Sequence, residues 1–186
     1  MKRIFAFFAA LVLLCACIPA MALEHDFSGA FTVSCPDGWE LDTTFGAGDS
    51  TEDFQVLGAF STFASTMEVS ISDDRAYYED FSVPTVMDSE FYYYLAGVLA
   101  VLEEADDTVK CSFVKTVPSA DGHALFLIYY VDDAAGGYYY ADTMLGGCTL
   151  LFYAYADSVM IQTGARQLAE LELLLSSIRF NDQLFQ

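Results

Sequence analysis

The sequence is short of basic residues, histidine, tryptophan and proline. It has 7 Lys and Arg against 27 Asp and Glu, two His, one Trp and four Pro in 186 residues, with a net charge of −20. A surface this acidic repels phosphate backbones and anionic lipid, so we expect no nucleic-acid partner. Cations, cationic ligands and basic proteins remain as candidate partners, although such a surface most often serves to keep a protein in solution.

The sequence also lacks the motifs of the common enzyme and metal-site classes. There is no G-x-S-x-G, no C-x-x-C and no zinc-ligand spacing. We expect His25 to lie in a mobile N-terminus and His123 to be solvated or structural at the start of a strand. The sequence therefore predicts no catalytic residue, no cofactor and no enzymatic activity.

The first 22 residues have the layout of a secretory signal peptide. A basic start is followed by an uncharged apolar run from Ile4 to Cys17, and small residues precede a predicted cut between Ala22 and Leu23. The mature chain would carry 5 basic and 27 acidic side chains, a net charge of −22, and would be secreted or held at the cell surface. The apolar run is too short to favour a membrane span, and we expect none in the mature protein. As an alternative, the run ending at Cys17 resembles a bacterial lipobox, which would make Cys17 a lipid anchor.

Three cysteines remain after that cut: Cys35, Cys111 and Cys148. In an exported protein one pair of them could be bridged, and the sequence leaves all three pairings open. The alternative is that all three are small, unbridged core residues, since each lies in or beside strand-like apolar sequence.

Carboxylate doublets are frequent, and two of them follow predicted strands. Weak, loop-based Ca²⁺ binding is therefore a hypothesis, although no doublet fits a complete calcium loop and most such doublets are solvated. A carboxylate-based hydrolase is a second alternative, since it needs two carboxyls at a set separation in a cleft. The metal candidates are Asp73, Asp74, Asp132 and Asp133.

Tyrosines occur in clusters, and two interpretations of these clusters are open. They could fill the seams between helices and sheet, which we favour, or form a platform for glycans. Because successive residues of a strand point to opposite faces, at most half of each strand cluster could share one platform. The clusters are 92–94, 129–130, 138–140 and the pair Tyr153 and Tyr155.

The most hydrophobic part of the mature chain, 109–155, predicts four consecutive strands. In the first strand one face is apolar and the other carries lysine, which is typical of an edge strand; Val109, Cys111, Phe113 and Val117 are predicted to share the apolar face. The second strand, from His123 to Val131, is apolar on both alternating faces, so both faces must be covered. Gly146-Gly147 predicts a two-residue hairpin between the last two strands.

Two helices are available to cover the sheet. The first is predicted over Ser89–Ala105, with an apolar stripe through Phe91, Leu95, Val98 and Leu102 that Tyr94, Val101 and Ala105 widen. Gly97 inside it predicts close packing against the sheet. The second is predicted over Ala165–Ser177, with Thr163 as its cap, Glu170 and Glu172 off the apolar stripe, and a stripe formed by Leu168, Leu171, Leu174, Leu175 and Ile178.

These elements predict an α+β fold in a single domain, residues 23–186. A mainly antiparallel sheet of about six to seven strands, covered by helices on both faces, gives a three-layer α/β/α sandwich.

The order of these elements resembles the Mog1/PsbP-like family. The likeness covers most of residues 27–180 and includes two short structural motifs, the turn Pro36-Asp37-Gly38-Trp39 and the Ser176–Phe180 ending. The resemblance implies a non-enzymatic accessory or binding protein, since the family includes a photosystem subunit, a small-GTPase binder and small exported bacterial proteins of unknown role. It supplies no catalytic residues, and neither known partner-binding site matches this chain residue by residue. We therefore expect an exported, acidic module that binds a protein or another envelope component, with a divalent cation as a further candidate partner.

Overall fold

The computed structural model describes residues 23–62, 65–105, 109–133, 136–156 and 164–181, which form ten strands and three α-helices. The first half of the chain contains β1 (Leu23–Phe27), β2 (Phe31–Cys35), β3 (Glu40–Asp42), β4 (Phe54–Ser61), β5 (Ser65–Asp73), α1 (Arg75–Tyr78) and α2 (Ser89–Ala105). The second half contains β6 (Lys110–Pro118), β7 (Leu125–Asp133), β8 (Gly136–Leu145), β9 (Cys148–Ala156), α3 (Gly164–Ser177) and β10 (Arg179–Phe180).

Seven of the strands form one sheet in the order β3-β4-β5-β9-β8-β7-β6, and all its neighbouring pairs are antiparallel. This confirms the predicted α+β class, the antiparallel sheet and the four-strand run. The lysine-bearing strand β6 lies at one edge, as its amphipathic pattern predicts. The Gly146-Gly147 hairpin is also confirmed, since both residues have positive φ, 55° and 75°.

A second, three-stranded sheet in the order β1-β2-β10 was not expected. The prediction of a mobile N-terminus around His25 is wrong, because this segment pairs along its whole length with β2. His25 lies opposite Val33, and its ring packs edge-on against Phe60 with centroids 5.5 Å apart. Its polar appearance hid the strand, because β1 buries Phe27 but leaves Leu23 and Glu24 exposed.

The core consists of two apolar clusters that take alternate residues of β7. Phe126 and Ile128 belong to the cluster that includes Leu171, Leu174 and Leu175 of α3 and the buried residues of β2. The other cluster includes Leu125, Leu127, Tyr129 and Val131 together with Phe91 and Leu95 of α2. The prediction that both faces of β7 are covered is therefore confirmed.

The prediction that the apolar residues of β6 share one face is wrong for the second half of the strand. A β-bulge between Phe113 and Lys115 inserts one extra residue, so the alternation changes sides there. Cys111 and Phe113 pack with the α2 cluster, whereas Val117 is buried in the α3 cluster. The bulge also turns Lys115 toward α3, where its Nζ lies 2.9 Å from Glu172.

Helix α3 follows its predicted stripe, but Glu170 is not a solvated residue. Glu170 is buried, and its carboxylate accepts hydrogen bonds from Thr62 at 2.5 Å and from Ser65 at 3.3 Å. It therefore ties the helix to the β4–β5 connection. The predicted cap Thr163 lies outside the described residues.

Cys35, Cys111 and Cys148 form no disulfide with one another in the described structure. Burial raises the pKa of the Cys35 thiol to about 12, so it is not a nucleophile at neutral pH. Within the described residues, no helix is long and apolar enough to span a membrane.

Candidate binding cleft

An apolar cleft of about 580 Å³ lies between α2 and the sheet. Tyr140 and Met144 of β8 form its base, and Tyr78 and Phe81 form one wall. The other wall is the face of α2 that carries Glu90, Tyr93, Tyr94, Gly97, Val98 and Val101. Its size and its aromatic lining are typical of ligand-binding pockets.

Helix α2 is positioned by its first turn and by two buried side chains. The carboxylate of Asp88 accepts hydrogen bonds from the main-chain N–H groups of Glu90, at 2.9 Å, and Phe91, at 3.2 Å, which caps the helix. Phe91 and Leu95 are buried against the sheet. Because residues four apart share a helix face, this anchoring leaves the neighbouring face turned toward the cleft.

Gly97 and Val101 lie on that open face, which corrects two expectations. A Cβ at Gly97 would meet nothing within 4 Å, so close packing is not the reason for this glycine. Val101 is 67% exposed and lines the cleft instead of widening the buried stripe. The side chains of Leu102 and Ala105 lie outside the described part of the structure.

The wall opposite α2 is held by hydrogen bonds to the β8–β9 hairpin. The carbonyl oxygen of Phe81 accepts a hydrogen bond from Gly147 N at 2.8 Å, and Val83 N donates to the carbonyl of Met144 at 2.8 Å. The Phe81 ring stacks on Tyr94 of α2 with centroids 5.5 Å apart. The two aromatic walls therefore touch at one end of the cleft.

A buried carboxyl group, Asp142, lies beneath the cleft. It is 3% exposed and lies between Tyr140 and Met144 on the same face of β8, with Leu127 and Leu151 beside it on the neighbouring strands. Its Oδ2 accepts a hydrogen bond from the Tyr140 hydroxyl at 3.2 Å, whereas Oδ1 is buried with no partner. Burial raises the pKa of Asp142 to about 7, an effect that the Tyr140 hydrogen bond opposes.

Tyrosines surround this carboxyl group from several elements. Burial, followed by the nearby Asp142 charge, raises the pKa of Tyr94, Tyr129 and Tyr140 well above the usual value. Burial also raises the pKa of Tyr153 to about 12. Together these side chains form a buried cluster whose low dielectric favours the neutral form of each one. Such clusters of shifted pKa values are more frequent at functional sites than elsewhere.

The strand tyrosines separate between the two faces of the sheet, as their alternation predicts. Tyr129, Tyr140 and Tyr153 are directly opposite one another on the cleft face, where Tyr138 and Tyr155 also pack. Tyr130 and Tyr139 pair on the other face. Tyr129 and Tyr140 are buried, whereas Tyr155 is 40% exposed, so the cleft-face tyrosines combine seam filling with a small exposed patch.

The four candidate metal ligands do not converge. Strands β9 and β8 lie between β5 and β7, and every neighbouring pair is antiparallel, so β5 and β7 run in opposite directions. Their C-terminal residues therefore lie at opposite ends of the strands. Asp73 ends β5 and Asp74 follows it at one of these ends, whereas Asp132 and Asp133 end β7 at the other. Across the described ranges, no group of three or more His, Cys, Asp or Glu could hold a metal ion.

The described carboxylates have separate local environments. Asp73 forms an ion pair with Arg75, and this hydrogen-bonded contact lowers the pKa of Asp73 to about 2. Asp74 accepts hydrogen bonds from Ser72 at 2.9 Å and Thr149 at 2.5 Å. Asp132 is exposed and opposite Lys110, and the side chain of Asp133 lies outside the described residues.

Of the predicted processing residues, Leu23 begins β1, whereas Cys17 and Ala22 fall outside the described residues. His123 is exposed, with its Nδ1 3.6 Å from an oxygen of Asp121, and it is not among the residues that line the cleft. Sequence reasoning missed Asp142. The available signal was a carboxylate in the middle of an otherwise apolar strand, YYYADTML.

No protein-family model matches the chain, and no curated protein matches it. Among solved structures, it is similar to cyanobacterial PsbP from Synechocystis sp. PCC 6803, with a TM-score of 0.50, 15% identity, and coverage of 87% of this chain and 93% of that one. The Ran-binding protein Mog1p of Saccharomyces cerevisiae aligns with a TM-score of 0.47, 11% identity, and coverage of 87% and 96%. A Pseudomonas aeruginosa protein of unknown function aligns with a TM-score of 0.37, 17% identity, and coverage of 83% of this chain and 95% of that one.

The match to PsbP confirms the expectation that this chain has a Mog1/PsbP-like fold. At this level of identity the likeness shows the fold alone.

Proposed function

We propose that this chain is an exported, strongly acidic, non-enzymatic binding module of the cell envelope, and that the cleft is where it holds its ligand. The observation that carries the proposal is the open aromatic surface between α2 and β8. Tyr93 is 85% exposed at its rim, and Tyr94, Val98 and Tyr140 continue the apolar lining inward. Soluble proteins seldom leave such a surface open unless it binds something.

The charge of the chain restricts what can bind. With 27 acidic and 7 basic residues, the surface favours basic or neutral partners and disfavours nucleic acid. Glu90 is the acidic residue among the described lining residues, and it adds negative potential at the cleft itself.

We also infer that the main sheet is the middle layer of a three-layer α/β/α sandwich. The support is the division of β7 between two clusters, one of which includes α2 and the other α3. In this arrangement the cleft arises because α2 covers only part of its face and leaves a gap above Tyr140 and Met144 of β8.

Affinity capture from the envelope of the producing cell tests the proposal when the cleft is varied. Tyr93→Ala removes a rim side chain of the cleft, whereas Tyr92→Ala removes an exposed tyrosine of the same helix that does not line it. Eluted proteins and small molecules are both identified by mass spectrometry. We expect at least one species that the wild type and Tyr92→Ala retain and Tyr93→Ala loses. If every retained species is insensitive to Tyr93→Ala, the cleft is not the binding site.

A carboxylate-based hydrolase is the second candidate, and Asp142 is the observation that favours it. Its pKa of about 7 suits a proton donor at neutral pH. Against it, Asp142 is buried between Tyr140 and Met144, and the acidic residue among the described lining residues, Glu90, belongs to the wall formed by α2. Turnover of chromogenic glycosides or esters that Asp142→Asn abolishes would establish the hydrolase.

Weak Ca²⁺ binding stays a prediction for the Asp73-Asp74 and Asp132-Asp133 ends of the sheet. Calorimetry with CaCl₂ at millimolar concentration, together with thermal unfolding, tests it. Absence of both heat and a thermal shift would remove Ca²⁺ as a ligand.

A further inference from the structure

We propose that the group bound in the cleft is an alkylated ammonium cation carried by a small soluble molecule. This inference rests on the proposed function, because it assigns a ligand class to the same cleft. Three features of the cleft carry it: its aromatic walls, its uncompensated carboxyl groups and its size.

The aromatic walls provide the first feature. Tyr78, Phe81, Tyr93, Tyr94 and Tyr140 contribute five rings to one cleft. Ring faces carry negative potential and attract cations, and quaternary ammonium groups are the ligands that aromatic pockets of this kind bind most selectively. A neutral alkyl group would gain the apolar contact but not this attraction.

The second feature is negative charge without a cationic partner in the lining. Glu90 lines the cleft, and the described lining contains no Lys, Arg or His. Asp142 lies directly beneath, with Oδ1 buried and unpartnered. A cation in the cleft would therefore lie near one rim carboxylate and above one buried carboxyl group, with no competing positive side chain between them.

The size of the cleft selects among cationic ligands. Its volume of about 580 Å³ falls within the range of small-molecule sites, which runs from about 300 to 1,000 Å³. A bare metal ion would not fill it, and its apolar walls offer few oxygen ligands. An ammonium carrying several alkyl groups matches both the volume and the lining.

Asp142 should make this binding depend on pH. Burial raises its pKa to about 7, and a cation nearby favours the ionised form. The affinity for the cation should therefore rise as the pH increases from about 6 to about 8. The titratable groups that face Asp142 are Tyr94 from α2, Tyr129 from β7, Tyr140 from its own strand and Tyr153 from β9. The next charged or titratable groups are Tyr138 and Glu68 near Tyr153, Cys111 near Tyr129, and Asp74 and Tyr78 near Tyr94.

The test compares choline with 3,3-dimethylbutan-1-ol, its neutral isostere of nearly the same shape. Binding to the purified protein is followed by NMR titration or calorimetry. We expect choline to bind at least about tenfold more tightly than the alcohol at pH 8, the difference expected for a desolvated cation–π site. Asp142→Asn should weaken choline binding and remove its pH dependence, but leave binding of the alcohol unchanged.

Gly97→Leu and Tyr92→Ala are the matched location controls. A side chain at Gly97 meets no neighbour within 4 Å, so leucine should occupy the cleft without disturbing the fold and should abolish choline binding. Tyr92→Ala should leave binding unchanged. Near-ultraviolet circular dichroism verifies that each variant is folded.

The outcomes separate this inference from the proposed function. Equal binding of choline and the alcohol, with both lost in Gly97→Leu, would overturn the cation assignment but keep the cleft as a binding site. Failure of choline to bind at millimolar concentration would also overturn the assignment, while the capture experiment with Tyr93→Ala would still decide the role of the cleft. Choline binding that survives Gly97→Leu would place the cation elsewhere on the acidic surface and overturn the inference.

Discussion

Replacing Asp142 with asparagine should make the protein more stable at neutral pH and change the way its stability depends on pH. The pKa of Asp142 rises from 3.8 to about 7 because the carboxyl group is buried. The native protein therefore binds this proton more tightly than the unfolded chain does. As a result, the free energy of unfolding falls as the pH increases from about 4 to about 7, and the penalty is complete above that range.

The expected magnitude follows from the size of the pKa difference. One pKa unit corresponds to about 1.4 kcal/mol, so a rise from 3.8 to about 7 costs the wild type about 4 kcal/mol of stability at pH 8. That is a large fraction of the about 5–15 kcal/mol that typically separates folded from unfolded protein. Asparagine is nearly isosteric with the protonated carboxyl group but does not ionise, so the variant avoids this penalty.

Urea unfolding of the wild type and Asp142→Asn, measured at intervals from pH 4 to pH 8, tests the prediction. The difference between the two proteins isolates Asp142, because all other titrating groups are common to both. We expect a small difference at about pH 4 that grows in favour of the variant up to about pH 7 and is constant above it. Parallel pH profiles of the two proteins would show that Asp142 is not held uncharged and would refute the reasoning.

Three further predictions concern other parts of the chain. Gly97→Ala should stabilise the protein by about 1 kcal/mol in the same unfolding assay, because alanine favours the helix and the new Cβ meets no neighbour; a loss of stability would contradict the open geometry. Gly147→Ala should destabilise by more than about 1 kcal/mol, because φ is 75° and a Cβ would lie 2.0 Å from the carbonyl oxygen of Glu79; an unchanged midpoint would show that the hairpin can shift. Intact-mass analysis of protein secreted by its own cell should give a chain beginning at Leu23, whereas a diacylglyceryl group on Cys17 would establish the lipid-anchored alternative.

The fold could be predicted where a single strong pattern governed the structure. Strand β7 is apolar on both alternating faces, and this alone required cover on each side, which the two clusters provide. The pattern failed in β6, because a bulge depends on how the strand twists against its neighbour and leaves no mark among Phe113, Val114 and Lys115. Strand β1 was missed because its sequence is mostly polar and, of its five residues, only Phe27 is buried.

The candidate site was harder to predict, because it depends on where helix α2 lies across the sheet. Gly97 is compatible with close packing or with open space, and the sequence does not distinguish the two. The position of Asp142 within an apolar strand was visible, but its burial depends on neighbouring residues such as Leu127 and Leu151, which come from other strands. The burial of Glu170, which lies off the apolar stripe, could not be predicted for the same reason: its hydrogen-bond partner Ser65 is 105 residues away.

The order of the main sheet has a consequence for how this chain folds. Strands β3 to β5 and β6 to β9 are two separate runs of sequence-adjacent antiparallel pairs, whose longest internal connection, residues 43–53, is far shorter than the segment between β5 and β9. The pairing of β5 with β9 joins them, and it brings Asp73 opposite Cys148 across a long intervening segment. Closing so large a loop is entropically costly before the contacts form, so this pairing should come late and limit the folding rate. Substitutions at Val69 or Phe152, which face each other across that pairing, should then slow folding and leave the early hairpins intact.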